Sequence, residues 1–480
     1  MKTRFLANSV LIAGGVVALV ALWRHVFGSG SIGPQQFGAE AGGPEPFVFA
    51  ALAAIFFASL RLRPALRVGI AVVSVSLLAV LYAAELVLAS TSLGPAANLP
   101  YWSIDRASSQ RKKELSALAA RSGGTIDTRD RVEILDDSRK RGIDMVPAIM
   151  LADILNDHHT AAARESGDEQ LVPLGGISST PTLLCNESGQ FVSYSSDEHG
   201  FRNPAGIWNS AHADIAAVGQ SLTQGYCVDD GKGYVDLLRT QNLVVLNLGM
   251  SGESSLLQLG AIKEYLPRFA PKRVLWFFTE GIDLSDLYIE STHPFLMGYL
   301  EPTFSQHLLT RQPEIDGTLR RRVSDMEARE RSPHAPAARS YTERTLEIAK
   351  LWSLRQKLAL IYGGDREGPE VWSMLEHSHN LLSTVLDQAK TVTSSWGGTL
   401  YFVYLPSWNR FRNSPRAAEE EHAKVLSVVH ELGIPVIDVQ PAFQAQNDPL
   451  SLFPFRRFGH YNEQGNKIVA ESVLKFLSVP

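Results

Sequence analysis

Four short segments of this chain carry the side chains best suited to chemistry. Val218-Gly219-Gln220-Ser221 ends in a serine set between a run of small apolar residues and a helical pattern. A hydroxyl at such a turn is exposed and has backbone N–H groups nearby, and the same placement also suits an ordinary helix cap. Asn247-Leu248-Gly249-Met250-Ser251-Gly252 offers glycines that let backbone N–H groups approach an anion, or that simply turn the chain. Thr279-Glu280-Gly281-Ile282-Asp283 is a glycine turn followed by an acidic helix start. Gly459-His460-Tyr461-Asn462 opens a terminal helix with a histidine, a residue that can take a proton from a serine near neutral pH.

The elements between these segments place them on one edge. Near-continuous apolar runs at Asp214 to Gly219, Leu243 to Gly249, Arg273 to Gly281, Thr399 to Pro406 and Ile434 to Val439 read as five buried strands. Amphipathic stretches at Leu256 to Phe269, Ala417 to Leu432 and Asn462 to Leu477 separate or follow them. Strands apolar on both faces and alternating with helices make a parallel sheet covered on both sides. Ligand sites in such sheets lie beyond the carboxyl ends of the strands, where three of the four segments directly follow a strand and His460 opens the final helix.

Taken in order, the four segments resemble the sequence blocks of the SGNH (GDSL-type) hydrolases: a G-D-S nucleophile block, a glycine block, a G-x-N-D block and a terminal D-x-H or D-x-x-H block. Tyr194 to Pro204 (YSSDEHGFRNP) looks like the lead-in of membrane-linked members, and Glu280 to Leu287 is similar to the family's E-G-N-D-L-x-D-L. The resemblance spans about Gly189 to Pro480. It implies a flavodoxin-like α/β/α sandwich with a five-stranded parallel sheet. It also implies ester or acyl-transfer chemistry through an acyl-serine, with Ser221 as nucleophile, His460 as base and acid, and the backbone N–H groups of Ser221 and Gly252 as oxyanion donors. No cofactor is implied.

Three block positions depart from the pattern. Gln220 replaces the Asp of the first block, and Ile282, beside Asp283, replaces an oxyanion Asn. Arg457 and Phe458 stand where an Asp would orient the histidine. Loss of one oxyanion donor costs about 10²–10³ in turnover, and loss of a triad acid about 10⁴. Asp438 and Glu463 are the replacement partners considered for His460, against plainer readings as a strand-end cap and a helix N-terminal charge.

The rest of the chain bounds where this chemistry happens. Apolar runs at Phe5 to Trp23, Pro46 to Leu60 and Val68 to Ala89 read as three membrane spans within an anchor over residues 1–92, in preference to a cleaved signal peptide and two spans. Lys2 and Arg4, with Arg61, Arg63 and Arg67, assign their flanks to the cytoplasm, so everything after about Ser90 lies outside. The expected location is the plasma (inner) membrane with a periplasmic domain. A linker and accessory segment covers residues 93–185, with no recognisable chemistry over its helical stretches at Gln110 to Ala120 and Pro147 to His158. The hydrolase-like domain covers residues 186–480 and carries a helical insertion at about residues 284–395, a cap or a partner surface. Cys185 and Cys227, the only two cysteines, are expected to form a disulfide in that oxidising compartment, the alternative being two buried thiols.

With a net charge of −5 and no basic block, a nucleic-acid partner is excluded, and two cysteines without a ligand spacing exclude a structural zinc site. Three functions fit: an exported esterase or deacylase, an O-acyltransferase accessory acting on an acylated envelope glycan, or a degraded domain that only binds a glycan or a partner.

Overall fold

In a computed structural model of the 480-residue chain, the described residues are 2–27, 45–90, 125–151, 171–331, 369–412, 415–456 and 459–478, with isolated positions at 116, 120, 154, 155, 348, 351 and 354. They fall into two compact units, residues 1–99 with 338–373, and residues 100–337 with 374–480.

The first unit holds three helices: α1 (Lys2–Phe27), α2 (Glu45–Ser59) and α3 (Pro64–Ser90). Among the described residues one helix, Pro64–Val87, is long and apolar enough to cross a membrane, and Ala50–Ser59 is a shorter apolar helix. Arg67 of α3 donates to Asn8 of α1 at 3.2 Å. Helices thus occupy all three places where spans were expected, and among the described residues one of them meets the length and hydropathy of a span.

The second unit is built on five parallel strands: β4 (Ile215–Gly219), β5 (Val245–Asn247), β6 (Arg273–Thr279), β7 (Thr399–Leu405) and β8 (Val436–Asp438), after a small three-stranded sheet described below. Their order is β5-β4-β6-β7-β8, the flavodoxin-like arrangement that the block resemblance implies. Registers such as Ala217 with Leu275 and Phe277 with Val403 align the strand ends. Alternate residues pack on opposite faces, as a period of two requires. Val274, Trp276 and Phe278 join one core with Leu256 and Ile262 of α7 (Ser255–Tyr265). Leu275 and Phe277 join the other with Val235 of α6 (Tyr234–Arg239) and Val469 of α13 (Glu463–Leu477). All these side chains are buried, which is why the strands read as unbroken apolar runs.

Ahead of this sheet the chain forms the small one: β1 (Val146–Pro147), β2 (Pro181–Cys185) and β3 (Val192–Ser195), preceded by α4 (Arg131–Lys140). Val146–Pro147 is a strand where the sequence suggested the start of a helix, because its edge pairs in parallel with Thr182 and Leu183 of β2. The antiparallel β2–β3 pair carries a register shift between Leu183 and Cys185, so the chain bends as it leaves β2. The helical insertion includes α8 (Asp283–Ser291), α9 (Gln312–Arg331) and α10 (Pro369–Ser395). The suggested helix at Gln110 to Ala120 lies almost entirely outside the described residues.

Candidate active site

Gly219 ends β4 with φ 158°, and a Cβ there would sit 2.1 Å from Thr223 Oγ1, so only glycine allows the turn from strand to helix to be this tight. The turn sets Ser221 as the first residue of a four-residue helix, α5 (Ser221–Gln224). Thr223 is held by Tyr234 across a 2.7 Å hydroxyl contact, and its carbonyl accepts from Asn247 Nδ2 at 2.8 Å. Ser221 is therefore fixed by buried neighbours on two sides.

The glycine block is fastened to the same helix. Gln224 Oε1 accepts from both Ser251 N (3.0 Å) and Ser251 Oγ (2.6 Å). Met250 N donates to Gly219 O at 3.2 Å, so the Met250–Gly252 turn lies directly beside the nucleophile turn. Gly252 itself has φ 80°. Among the described residues, the backbone N–H groups of Ser221 and Gly252 have no acceptor within the chain, and both remain free to donate.

His460 arrives ahead of α13, whose N-cap Asn462 accepts from Gly465 N. Its Nε2 lies 2.7 Å from Ser221 Oγ. Its other ring nitrogen, Nδ1, lies 2.9 Å from Glu187 Oε1, and Glu187 Oε2 accepts from His460 N at 2.8 Å. Glu187 is fully buried, two residues beyond β2. Its approach needs the glycine before the histidine, since a Cβ on Gly459 would come within 2.8 Å of Glu187 Oε2. The ring of Tyr226 packs on His460 with centroids 4.7 Å apart.

Neither of the replacement partners considered for His460 reaches it. Asp438 pairs with His422 Nε2 (2.9 Å) and accepts from Gln440 N (3.0 Å). Glu463 faces Lys232 at 3.2 Å on the surface. Both are engaged elsewhere, as a strand-end cap and a helix-start charge respectively. Phe458, like Arg457, lies outside the described residues. Glu187 escaped notice because Cys185-Asn186-Glu187-Ser188-Gly189 reads as a strand end and a polar turn. A signal was available: Cys227 follows Ser221 closely, so a Cys185–Cys227 bond brings Glu187 to the nucleophile.

That bond is present, with the two Cα atoms 5.5 Å apart. It ties the end of β2 to the loop after α5, and the sulfurs pack with Leu184, Val192 and Tyr194.

Of the remaining divergent positions, Gln220 is part of a buried acidic corner. Gln220 Nε2 donates to Asp283 Oδ1, whose other oxygen accepts from Thr279 N at 3.0 Å. Burial holds the Asp283 carboxyl well above the ordinary carboxylate range, and pushes Asp286 up to about 6 and Glu290 up to about 8. Glu290 accepts from Ser254 N (2.5 Å) and Leu256 N (2.9 Å) at the start of α7. Gln220 supplies a neutral donor where an Asp would add a further buried charge. Ile282 directly precedes α8, and its side chain offers no donor. The adjoining Glu280 forms a buried ion pair with Arg410 and accepts from Ser407 N at 3.0 Å, pinning the block to the end of β7.

The lead-in segment also has a structural role. Asp197 accepts from Phe201 N (2.9 Å), Asn203 Nδ2 (2.7 Å) and Trp208 Nε1 (2.7 Å), and burial raises its carboxyl to about 6. Asn203 in turn donates to Asn247 O at 2.8 Å, and Arg202 caps Gly225 O at the end of α5.

No family model matches the chain, and no curated protein matches it. Among solved structures it is similar to LAE5, an alpha/beta hydrolase enzyme from the metagenome of Lake Arreo, Spain, at 16% identity over 56% of this chain and 97% of that one, with a TM-score of 0.31. It is also similar to the lipase/acylhydrolase from Enterococcus faecalis, at 13% identity over 55% and 94% of the two chains and a TM-score of 0.30. A third is a member of the lipolytic protein G-D-S-L family from Veillonella parvula DSM 2008, at 15% identity over 55% and 98%, with a TM-score of 0.28. Identities this low say nothing of chemistry, and the roles of Ser221, His460 and Glu187 rest on the geometry of this chain.

Proposed function

We propose that the α/β unit is an SGNH-type serine ester hydrolase that works through an acyl-serine. The observation that carries this is the unbroken chain of hydrogen bonds from Ser221 Oγ through His460 to Glu187. As Ser221 attacks the ester carbonyl, His460 Nε2 takes its proton, and the oxyanion forms against the N–H groups of Ser221 and Gly252. His460 then gives the proton to the leaving alcohol. Water attacks the acyl-serine by the reverse of these steps and releases the acid. Glu187, bonded to Nδ1, holds the ring in the right tautomer and orientation. The ground for a binding-only domain weakens, because the acid absent from the last block is supplied from upstream. Transfer to a sugar hydroxyl is the same second half-reaction with another acceptor.

The helices over residues 1–92 anchor this unit to the plasma membrane with the site outside, where an acylated glycan is the expected substrate. The apolar Pro64–Val87 helix and the disulfide support that placement. A reporter fused after Ser90 should then work outside the cytoplasm and one near Pro64 inside; the reverse pattern rules the placement out. For the chemistry, a fluorophosphonate should label the purified protein and cleavage of short acyl esters should be measurable. Both should vanish in Ser221→Ala. Labelling or turnover that survives this change shows that Ser221 is not the nucleophile.

A further inference from the structure

Glu187 does not belong to the parallel sheet that carries Ser221. It leaves the three-stranded sheet just after a register shift, on a turn whose neighbours are tied to Asp127: Asn186 Nδ2 donates to Asp127 O at 2.8 Å, and Gly189 O accepts from Asp127 N at 2.6 Å. What joins this turn to the nucleophile side is compact. Cys185, two residues before Glu187, is bonded to Cys227, and Cys227 adjoins Tyr226, whose ring lies against His460. Tyr226 N donates to Ser221 O at 2.9 Å, and its hydroxyl reaches Leu184 O at 3.5 Å. One covalent bond thus spans the gap between the acid on one side and the nucleophile and histidine on the other. The bond is fully buried, and Cys227 adopts φ 62°, a left-handed conformation that a non-glycine residue keeps only when its surroundings hold it.

We propose that the Cys185–Cys227 disulfide is a positioning element for the reaction: it sets Glu187 against His460, so that turnover depends on its oxidation state. This rests on the Ser221–His460–Glu187 reading above. Cleavage of the bond by a dithiol transfers two electrons and two protons to the sulfurs, leaving two thiols and a cyclic disulfide of the reagent. Once released, the β2 end keeps only its weaker ties, and the carboxylate loses its fixed distance from Nδ1. Because Glu187 acts on the imidazole and not on substrate, the loss falls on kcat.

The test is a cycle in the full-length, detergent-purified protein with four forms: parent, Cys185→Ser with Cys227→Ser, Glu187→Gln, and the three changes together. Without the disulfide, kcat should fall about 10-fold or more with KM within about twofold. In the Glu187→Gln background the same cysteine changes should cost almost nothing, since the bond acts through that carboxylate. Unchanged kcat in the cysteine variant, or losses that simply multiply, overturns the proposal. If the cysteine variant does not fold, the folded parent is treated with dithiothreitol and followed by circular dichroism and turnover together. Reversible loss of kcat with the fold intact supports the proposal, and loss of the fold in step with turnover makes the bond a general staple and overturns it. Failure of the underlying reading looks different: Ser221→Ala would then keep its activity.

Discussion

His460 Nδ1 lies 2.9 Å from Glu187 Oε1 although 273 residues separate them. The acid comes first along the chain, the nucleophile second and the histidine last, an order unlike a terminal block in which acid and histidine are near neighbours. Geometry and role define a triad, not sequence position.

Glu187→Gln tests that acid directly. The amide keeps the shape and can still accept from His460 N, but it can donate to Nδ1 and so favour the wrong tautomer. A fall in kcat of up to about 10⁴ is expected, with KM little changed. Steady-state kinetics on a soluble ester decide it, and a loss below about threefold would remove Glu187 from the mechanism.

Gly459→Ala should reach the same carboxylate from the other side. The new methyl would meet Glu187 Oε2 at 2.8 Å, closer than a Cβ contact allows. The carboxylate must shift, and kcat should fall about 10-fold with a near-normal melting temperature. Comparing turnover with thermal unfolding separates this from general damage.

Gln220→Asp installs the acid of the G-D-S block that this segment resembles, and it should do harm. A carboxylate there would face the Asp283 carboxyl in a buried corner and lose the donor that Gln220 Nε2 provides. A destabilisation on the order of 2–4 kcal/mol is expected, with no gain in kcat. Chemical denaturation followed by circular dichroism measures it.

Between about pH 4 and 8 the buried carboxyls should draw stability down as pH rises, against an opposite contribution from His199 and His379, whose pKa values burial lowers. Asp197 and Asp286 rise to about 6 and Glu290 to about 8, in each case chiefly through burial. A carboxyl whose pKa is raised in the folded state contributes its full stability below the unfolded value, near 4, and loses it as pH climbs through the folded value. The limb between about pH 4 and 6 belongs to the two aspartates, and the stretch reaching about pH 8 to Glu290. Each aspartate contributes on the order of 3 kcal/mol at most. Asp286→Asn should flatten the lower limb in melting curves recorded across that range.

The parallel sheet was legible in the sequence because its strands are buried on both faces. Val274 to Phe278 therefore appears as an uninterrupted apolar run, and the fold follows from such runs alternating with helices. Ser221 and His460 were legible because each sits where a strand ends or a helix begins. Glu187 was not, since a buried acid in a polar turn has the same local pattern as a solvated one. Only the long-range pairing of Cys185 with Cys227 distinguishes them. Pro147, read as the first residue of a helix, is a strand residue for a related reason: its strand character comes from pairing with Leu183, and nothing local encodes it.

The order of the three residues along the chain also has a temporal meaning. Synthesis delivers Glu187 first, Ser221 next and His460 last. While the polypeptide is still emerging, the serine has its acid nearby but nothing to take its proton. A chain cut or stalled anywhere ahead of His460 lacks the base of the proposed reaction, which can begin only once the last strand and the helix behind His460 have been made and packed.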